Sequence, residues 1–314
     1  MAEEPVQPPP PELPETASVG DLIAHATGVA VTAMKEHQEG LRAGIDPDHV
    51  RKTRVAVRRL RSNLRTFAEF LDTARTEPVV AELGALAAEL GGVRDREVLI
   101  GRLRAGAKVL PVADRGLVEV LTGILEEEIR AARVSAIAFL DSDRFTTLFA
   151  DLDALALSPP LNEAAARRAT EVAGPLSAGP WEKLRKAVRE LRRNPPDAQL
   201  HRVRILAKRS RYAGQAVAPV IGEPARAFAR AAGELQTVLG DHQDAVTAES
   251  WLAAAPTSGR TAFVAGQLAG LERAVALEAR EKWPEAWSAL DQKELRAWMA
   301  APAWASAGPA VPPS

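Results

Sequence analysis

Two segments 150 residues apart carry one cationic pattern, and this repeat restricts the chain to a fold built twice over. Arg51, Arg54, Arg58, Arg59 and Arg61 recur as His201, Arg204, Lys208, Arg209 and Arg211, at offsets 0, +3, +7, +8 and +10. An α-helix turns about 100° per residue, so offsets 0, +3, +7 and +10 project within an arc of roughly 80°. Arg65, at +14, falls inside the same arc. The opposite side is apolar or small in both copies: Thr53, Val57, Leu60, Leu64 and Phe67 in the first, Val203, Ala207, Ser210, Gly214 and Val217 in the second. Each helix is therefore expected to bury one face and offer the other.

A second matched element makes the repeat long. Leu90-Gly91-Gly92-Val93-Arg94-Asp95 lines up with Leu239-Gly240-Asp241-His242-Gln243-Asp244 at an offset of 149, close to the 150 of the basic segments. Apolar residues recur at helical spacing from Val19 onward, and alternating strand-like runs are scarce. The expected fold is all-α, with two pseudo-symmetric four-helix-bundle halves in one domain and a basic cleft or channel between them. Helices are expected near 19–43, 47–74, 77–104 with a break at Gly91-Gly92, 114–138, 143–155, 181–193, 197–219, 223–253 with a break at Gly240, 258–281 and 284–299. The boundaries read as a disordered proline-rich tail over 1–17, an N-terminal helical half over 18–157, a linker over 158–180, a C-terminal half over 181–299 and a second disordered tail over 300–314.

Composition excludes several function classes. Cysteine is absent, which removes disulfides, thiolate metal sites and cysteine nucleophiles together. The formal net charge is only −1, so the cationic stripes are local and set against acidic surface elsewhere. No uninterrupted apolar span of about 20 residues and no basic-apolar leader occur, so no membrane partner is expected and the location is read as cytoplasmic. No Walker-type loop, GxSxG elbow or HxxxH pair is present, and neither a cofactor, a metal nor a catalytic residue is assigned.

The stripes themselves are unusual in lacking acids. No Asp or Glu lies between Asp48 and Glu69, or between Asp197 and Glu223. Solvated helix faces are the bland alternative, with long side chains covering apolar surface. The duplicated form points instead to an external polyanion that neutralises the stripes. Arginine's planar donor fork suits phosphate, and Lys208 adds a point charge. The candidate anion-binding set is Arg51, Lys52, Arg54, Arg58, Arg59, Arg61, Arg65, His201, Arg202, Arg204, Lys208, Arg209 and Arg211. Asp95 and Asp244, matched in position after the glycines, are expected either to orient a stripe residue or to cap a turn. His242 reads as a salt-bridged surface residue, Arg94 as surface, and the helix carrying Lys183, Lys186 and Arg193 as mixed surface.

The helix Arg51 to Arg61, its partner His201 to Tyr212 and the two Leu-Gly…Asp elements resemble the conserved histidine α-helical domain, or CHAD, family. The resemblance covers about 19–298 and extends to Lys282-Trp283 and Trp287-Ser288-Ala289-Leu290, which look like that family's aromatic closing helix. It implies an all-helical pair of four-helix bundles whose basic channel binds inorganic polyphosphate, with polyphosphate granules and polyphosphate-metabolising enzymes as associated partners. The family's first signature histidine falls at Arg51, whereas His201 keeps its place. Arginine is permanently charged and histidine only partly protonated near neutrality, so the two walls should differ in pH sensitivity. Two other readings remain beside polyphosphate binding. A nucleic-acid-binding protein would want aromatics for base stacking, and only Tyr212 lies in a stripe. An accessory to phosphate metabolism would deliver the polymer to a partner enzyme.

Overall fold

The structure, a computed structural model, describes residues 12–42 and 46–300. Eleven α-helices form among them: α1 Val19–Lys35, α2 Gln38–Arg42, α3 Pro47–Thr66, α4 Thr73–Ala107, α5 Val112–Leu140, α6 Asp143–Leu157, α7 Ala169–Arg189, α8 Asp197–Ile221, α9 Glu223–Ala254, α10 Gly259–Leu290 and α11 Lys293–Arg296. Three single 3-10 turns at Ala68–Phe70, Glu163–Ala166 and Ala297–Met299 complete the set, so the all-α expectation holds.

Local chemistry fixes several starts. At α1 the Ser18 hydroxyl accepts from the Asp21 N–H at 3.1 Å, and the Asp21 carboxylate accepts from the Ser18 N–H at 2.9 Å, a reciprocal cap. At α3 the Asp46 carboxylate accepts from the Asp48 and His49 N–H groups at 2.9 and 3.3 Å, and Pro47 occupies the first position, where its missing N–H costs nothing. The turn from α8 into α9 is a single glycine, Gly222, at φ +77°, a left-handed value that side chains resist.

Two apolar clusters hold the helices together. The larger gathers Leu22, Ile23, Val57, Leu60, Leu83, Leu86, Leu121 and Phe145 from the first six helices, and it continues without a break into Val217 of α8, Leu252 of α9 and Val264 and Leu268 of α10. The smaller belongs to the C-terminal elements alone and is aromatic. Trp181 stacks on Trp287 with centroids 5.4 Å apart and meets Phe228 edge-on at 5.8 Å. Side-chain ion pairs also tie the first helices to α10: Arg102 pairs with the buried Glu272, and Arg260 grips the buried Asp114 through two nitrogens at 2.8 and 2.6 Å.

Several expected boundaries are corrected. Both α4 and α9 run straight through Gly91-Gly92 and Gly240. The stretch expected as a linker over 158–180 contains the start of α7, which accommodates Pro175 and Pro180 because Val172, Ala173, Ser177, Trp181 and Leu184 bury its inner face. The expected helices at 258–281 and 284–299 are one helix through Pro284, followed by short turns. Residues 12–17 are not a free tail: the Leu13 N–H donates to the Pro219 carbonyl at 2.8 Å, Glu12 pairs with Arg226, and Ala17 is buried. The rest of the expected N-terminal tail and residues 301–314 lie outside the described residues.

Candidate anion site between two basic helices

Helix α3 packs against α8, and the apolar sides of both point into the protein: Thr53, Val57, Leu60, Leu64 and Phe67 on one, Val203, Ala207, Ser210 and Val217 on the other, all buried. With those faces fixed, the cationic stripes converge. Lys208 of α8 lies within electrostatic reach of Arg54, Arg58 and Arg61 of α3 and of Arg204 on its own helix. No carboxylate pairs with Lys208 among the described residues, and burial followed by these four guanidinium groups pulls its ammonium down to a pKa of about 8.

The matched glycines carry the arginines. A methyl group on Gly91 would meet Arg54 Nη1 at 2.9 Å and one on Gly84 would meet Arg61 Nη2 at 3.3 Å; the same addition at Gly240 would meet Arg204 Nε at 3.5 Å and at Gly233 Arg211 Nε at 3.6 Å. Four arginines therefore lie flat on four glycines, and each arginine and each glycine recurs about 150 positions later. This is why the glycines do not break their helices. The side chain laid over each one shields backbone that would otherwise face water, and the helix packs on. Arg54 Nη1, Arg58 Nε, Arg61 Nε and Arg204 Nε are buried N–H groups without an acceptor. An unmade bond at such a group costs roughly 1–3 kcal/mol, and the seating that encloses these nitrogens fixes each guanidinium in place. Burial lowers the Arg54 and Arg61 pKa values, yet a guanidinium stays charged at any ordinary pH.

The two carboxylates flank this set. Asp95 accepts from Arg54 Nη2 at 3.0 Å while remaining largely exposed. Asp244 is more enclosed; burial pushes its carboxyl up, opposed by Arg204 and Arg102 and reinforced by Asp241 and Asp95. Both lie inside continuous helices, so neither caps a turn, and the capping alternative is overturned. His201 is oriented by a neutral group: its Nδ1 is 2.7 Å from Gln243 Oε1, and Gln243 Nε2 donates to Thr247 Oγ1 at 3.2 Å. With the Gln243 oxygen toward the ring, Nδ1 is the nitrogen that donates. Gln243 was legible only as the counterpart of Arg94, and its role is visible once His201 and the motif beside it are on adjacent helices.

Not every sequence-derived residue joins the convergence. Arg51 and Lys52 turn back to Asp48 at 2.8 and 2.7 Å. Arg65 is exposed at the end of α3, near Arg61. Arg59 is half-buried on the shoulder of its helix, and Arg211 donates to Gln236 at 3.5 Å with its guanidinium over Tyr212. Arg202 and Arg209 are not part of the convergent set; with Lys183, Lys186 and Glu190 they line a separate groove of about 510 Å³ between α7 and α8. The reason is rotational: at offsets +1 and +8 they lie about 100° and 80° around from His201. His242 is corrected as well. It is 1% exposed, 3.1 Å from Asp197, and burial lowers its pKa, so it is an interior group at the start of α8 rather than a surface salt bridge. Arg94, read as surface, pairs with Glu97 at 3.3 Å. No group of three or more metal-ligating side chains forms among the described residues, and no described helix is long and apolar enough to cross a membrane.

Comparison with known proteins adds independent findings. A family model described as CHAD domain matches residues 26–253. Two uncharacterized proteins from two strains of Mycobacterium tuberculosis are 32% identical over 265 residues, which covers 80% of this chain and 49% of theirs. The chain thus spans about half the length of the curated relatives it matches. Among solved structures, PptA from Streptomyces chartreusis is similar with a TM-score of 0.72 at 24% identity, over 87% of this chain and 100% of that one. The CHAD domain from the plant Ricinus communis is similar with a TM-score of 0.64 at 25% identity, over 95% and 97%.

Proposed function

The chain belongs to the CHAD family, and from the cleft it carries we propose that it binds inorganic polyphosphate without chemically altering it. The observation that carries this reading is Lys208 set among Arg54, Arg58, Arg61 and Arg204, with four buried guanidinium N–H groups lacking acceptors. A linear chain with about one charge per phosphate presents acceptor oxygens at short, regular intervals, so it can serve several of these donors at once. Orthophosphate or a nucleotide can serve only a few. Arginine recognises such oxygens with its fork, and each contact in a dry, half-buried setting is stronger than at open surface.

Nucleic acid is the poorer fit. Tyr212, the one aromatic residue in either stripe, is 6% exposed and occupied in the interior, so neither stripe offers a base an open aromatic face. Association with polyphosphate granules and with enzymes of polyphosphate metabolism follows from the same binding. Isothermal titration with chains of graded length tests the proposal. Affinity should rise steeply from pyrophosphate to long chains and fall with added salt as counterions are released. Equal affinity for short and long chains would overturn it.

A further inference from the structure

We infer that Lys208 is an acylation site for small acyl phosphates, whose phosphate docks on Arg58, Arg61 and Arg204 while the lysine Nζ takes the acyl group. The inference rests on the proposed reading of the cleft as a phosphate site and adds a covalent chemistry to it. Three features of the site support it. The lysine is the sole amine in the convergent set; four guanidinium groups, of Arg54, Arg58, Arg61 and Arg204, act on it; and it has no carboxylate partner among the described residues to hold its proton. The two motif carboxylates are engaged elsewhere, Asp95 with Arg54 and Asp244 with Arg204 and Arg102.

The step balances as an ordinary acyl transfer. The neutral Nζ lone pair attacks the acyl carbon and forms the C–N bond; the C–O bond to phosphorus breaks, and orthophosphate leaves with the electron pair. The ammonium proton of the adduct passes to water or to the departing phosphate, and the product is a neutral amide. The arginines stabilise the phosphate as it departs, so the groups that dock the reagent also favour its leaving. Neutral amine is available because the ammonium has a pKa of about 8: at pH 7.5 roughly a quarter is unprotonated, against about one part in a thousand for an ordinary lysine. The amide removes the central charge of the cleft, so the modification would lower its affinity for polyanions.

The test incubates the full chain with acetyl phosphate at pH 7.5 and maps acetyl-lysines by peptide mass spectrometry, with the exposed Lys183 and Lys186 as internal references. Lys208 should be acetylated about tenfold faster than either reference. Labelling with p-nitrophenyl acetate, which carries no phosphate, should shrink that preference severalfold. Pyrophosphate should protect Lys208 and leave Lys183 and Lys186 unchanged. Lys208 labelled no faster than the references overturns the proposal, and equal preference for the two reagents overturns the phosphate docking. Titration of the unmodified chain separates the two readings. Selective acetylation without polyphosphate binding leaves the lysine site standing and removes the function proposed above, whereas polyphosphate binding without selective acetylation does the reverse.

Discussion

Helix α3 ties Arg51, Lys52 and Arg54 to carboxylates by short ion pairs, whereas helix α8 sets His201 against an amide and Lys208 among guanidinium groups. On α3, Arg51 and Lys52 are drawn to Asp48 and Arg54 to Asp95. On α8, His201 lies against Gln243, Arg211 reaches Gln236, Asp244 acts on Arg204, and Lys208 has no hydrogen-bonded or ion-paired partner among the described residues. Lys208 is thus the cation of the convergent set that is least balanced by a carboxylate among the described residues. The two helices share a local geometry, two arginines seated on two glycines each, and differ at the position where α8 carries Lys208. An incoming anion is therefore worth most at Lys208, where four guanidinium groups act on one ammonium.

The comparison breaks most completely if charge is reversed on both walls. Arg58→Glu with Lys208→Glu should weaken polyphosphate binding by more than about 100-fold, while far-ultraviolet circular dichroism keeps its helical signal. Loss of the helical signal would mean the stripes serve the fold. Second in size is the effect of pH. Anion binding favours the protonated lysine, so the complex takes up a proton wherever free Lys208 has lost one. Between pH 7 and 9 affinity should fall about tenfold, and Lys208→Arg should flatten that profile, both measurable by titration in buffers of different ionisation enthalpy. The fold responds with the opposite sign. Because the folded pKa, about 8, lies below the usual 10.5, the protonated lysine costs stability throughout the range below pH 8, and that cost vanishes as pH rises toward 10.5.

Smaller effects sharpen the contrast. Gly240→Ala leaves ordinary room beside Arg204 and should stabilise α9 by about 1 kcal/mol in thermal unfolding. Gly91→Ala forces Arg54 Nη1 away from its seat and should cost binding severalfold, with less gain in stability. The smallest effect belongs to Arg51→Glu, a residue already tied to Asp48, which should change affinity about twofold or less at 0.15 M salt.

The parts of this molecule that the sequence made legible are those governed by periodicity. The apolar sides of α3 and α8 were readable because burial follows the helical repeat, and every one of Thr53, Val57, Leu60, Leu64 and Phe67 is inside. The matched glycines were visible, but their meaning was inverted. Local propensity says that Gly91 and Gly240 end a helix, whereas Arg54 and Arg204, 37 and 36 positions away in the chain, cover them and let it continue. The start of α7 was missed for a similar reason: Gly174 and Pro175 signal a turn, yet the backbone carbonyls of Trp298 and Met299 press on Gly174, where only glycine leaves room. Arg202 and Arg209 were grouped with the cleft because charge was weighted above rotational position, and 80–100° suffices to send a side chain to another groove.

The seating of arginines on glycines also gives the cleft a length scale. Arg54 and Arg61 are seven residues apart along α3, as Arg204 and Arg211 are along α8, a rise of about 10 Å on each wall. The walls are thus graduated like a ruler with widely spaced marks. A ligand shorter than one interval touches a single mark on each side, and one that just exceeds it touches two. Affinity plotted against ligand length should climb in a step rather than a smooth ramp, with the riser where the chain first spans two marks.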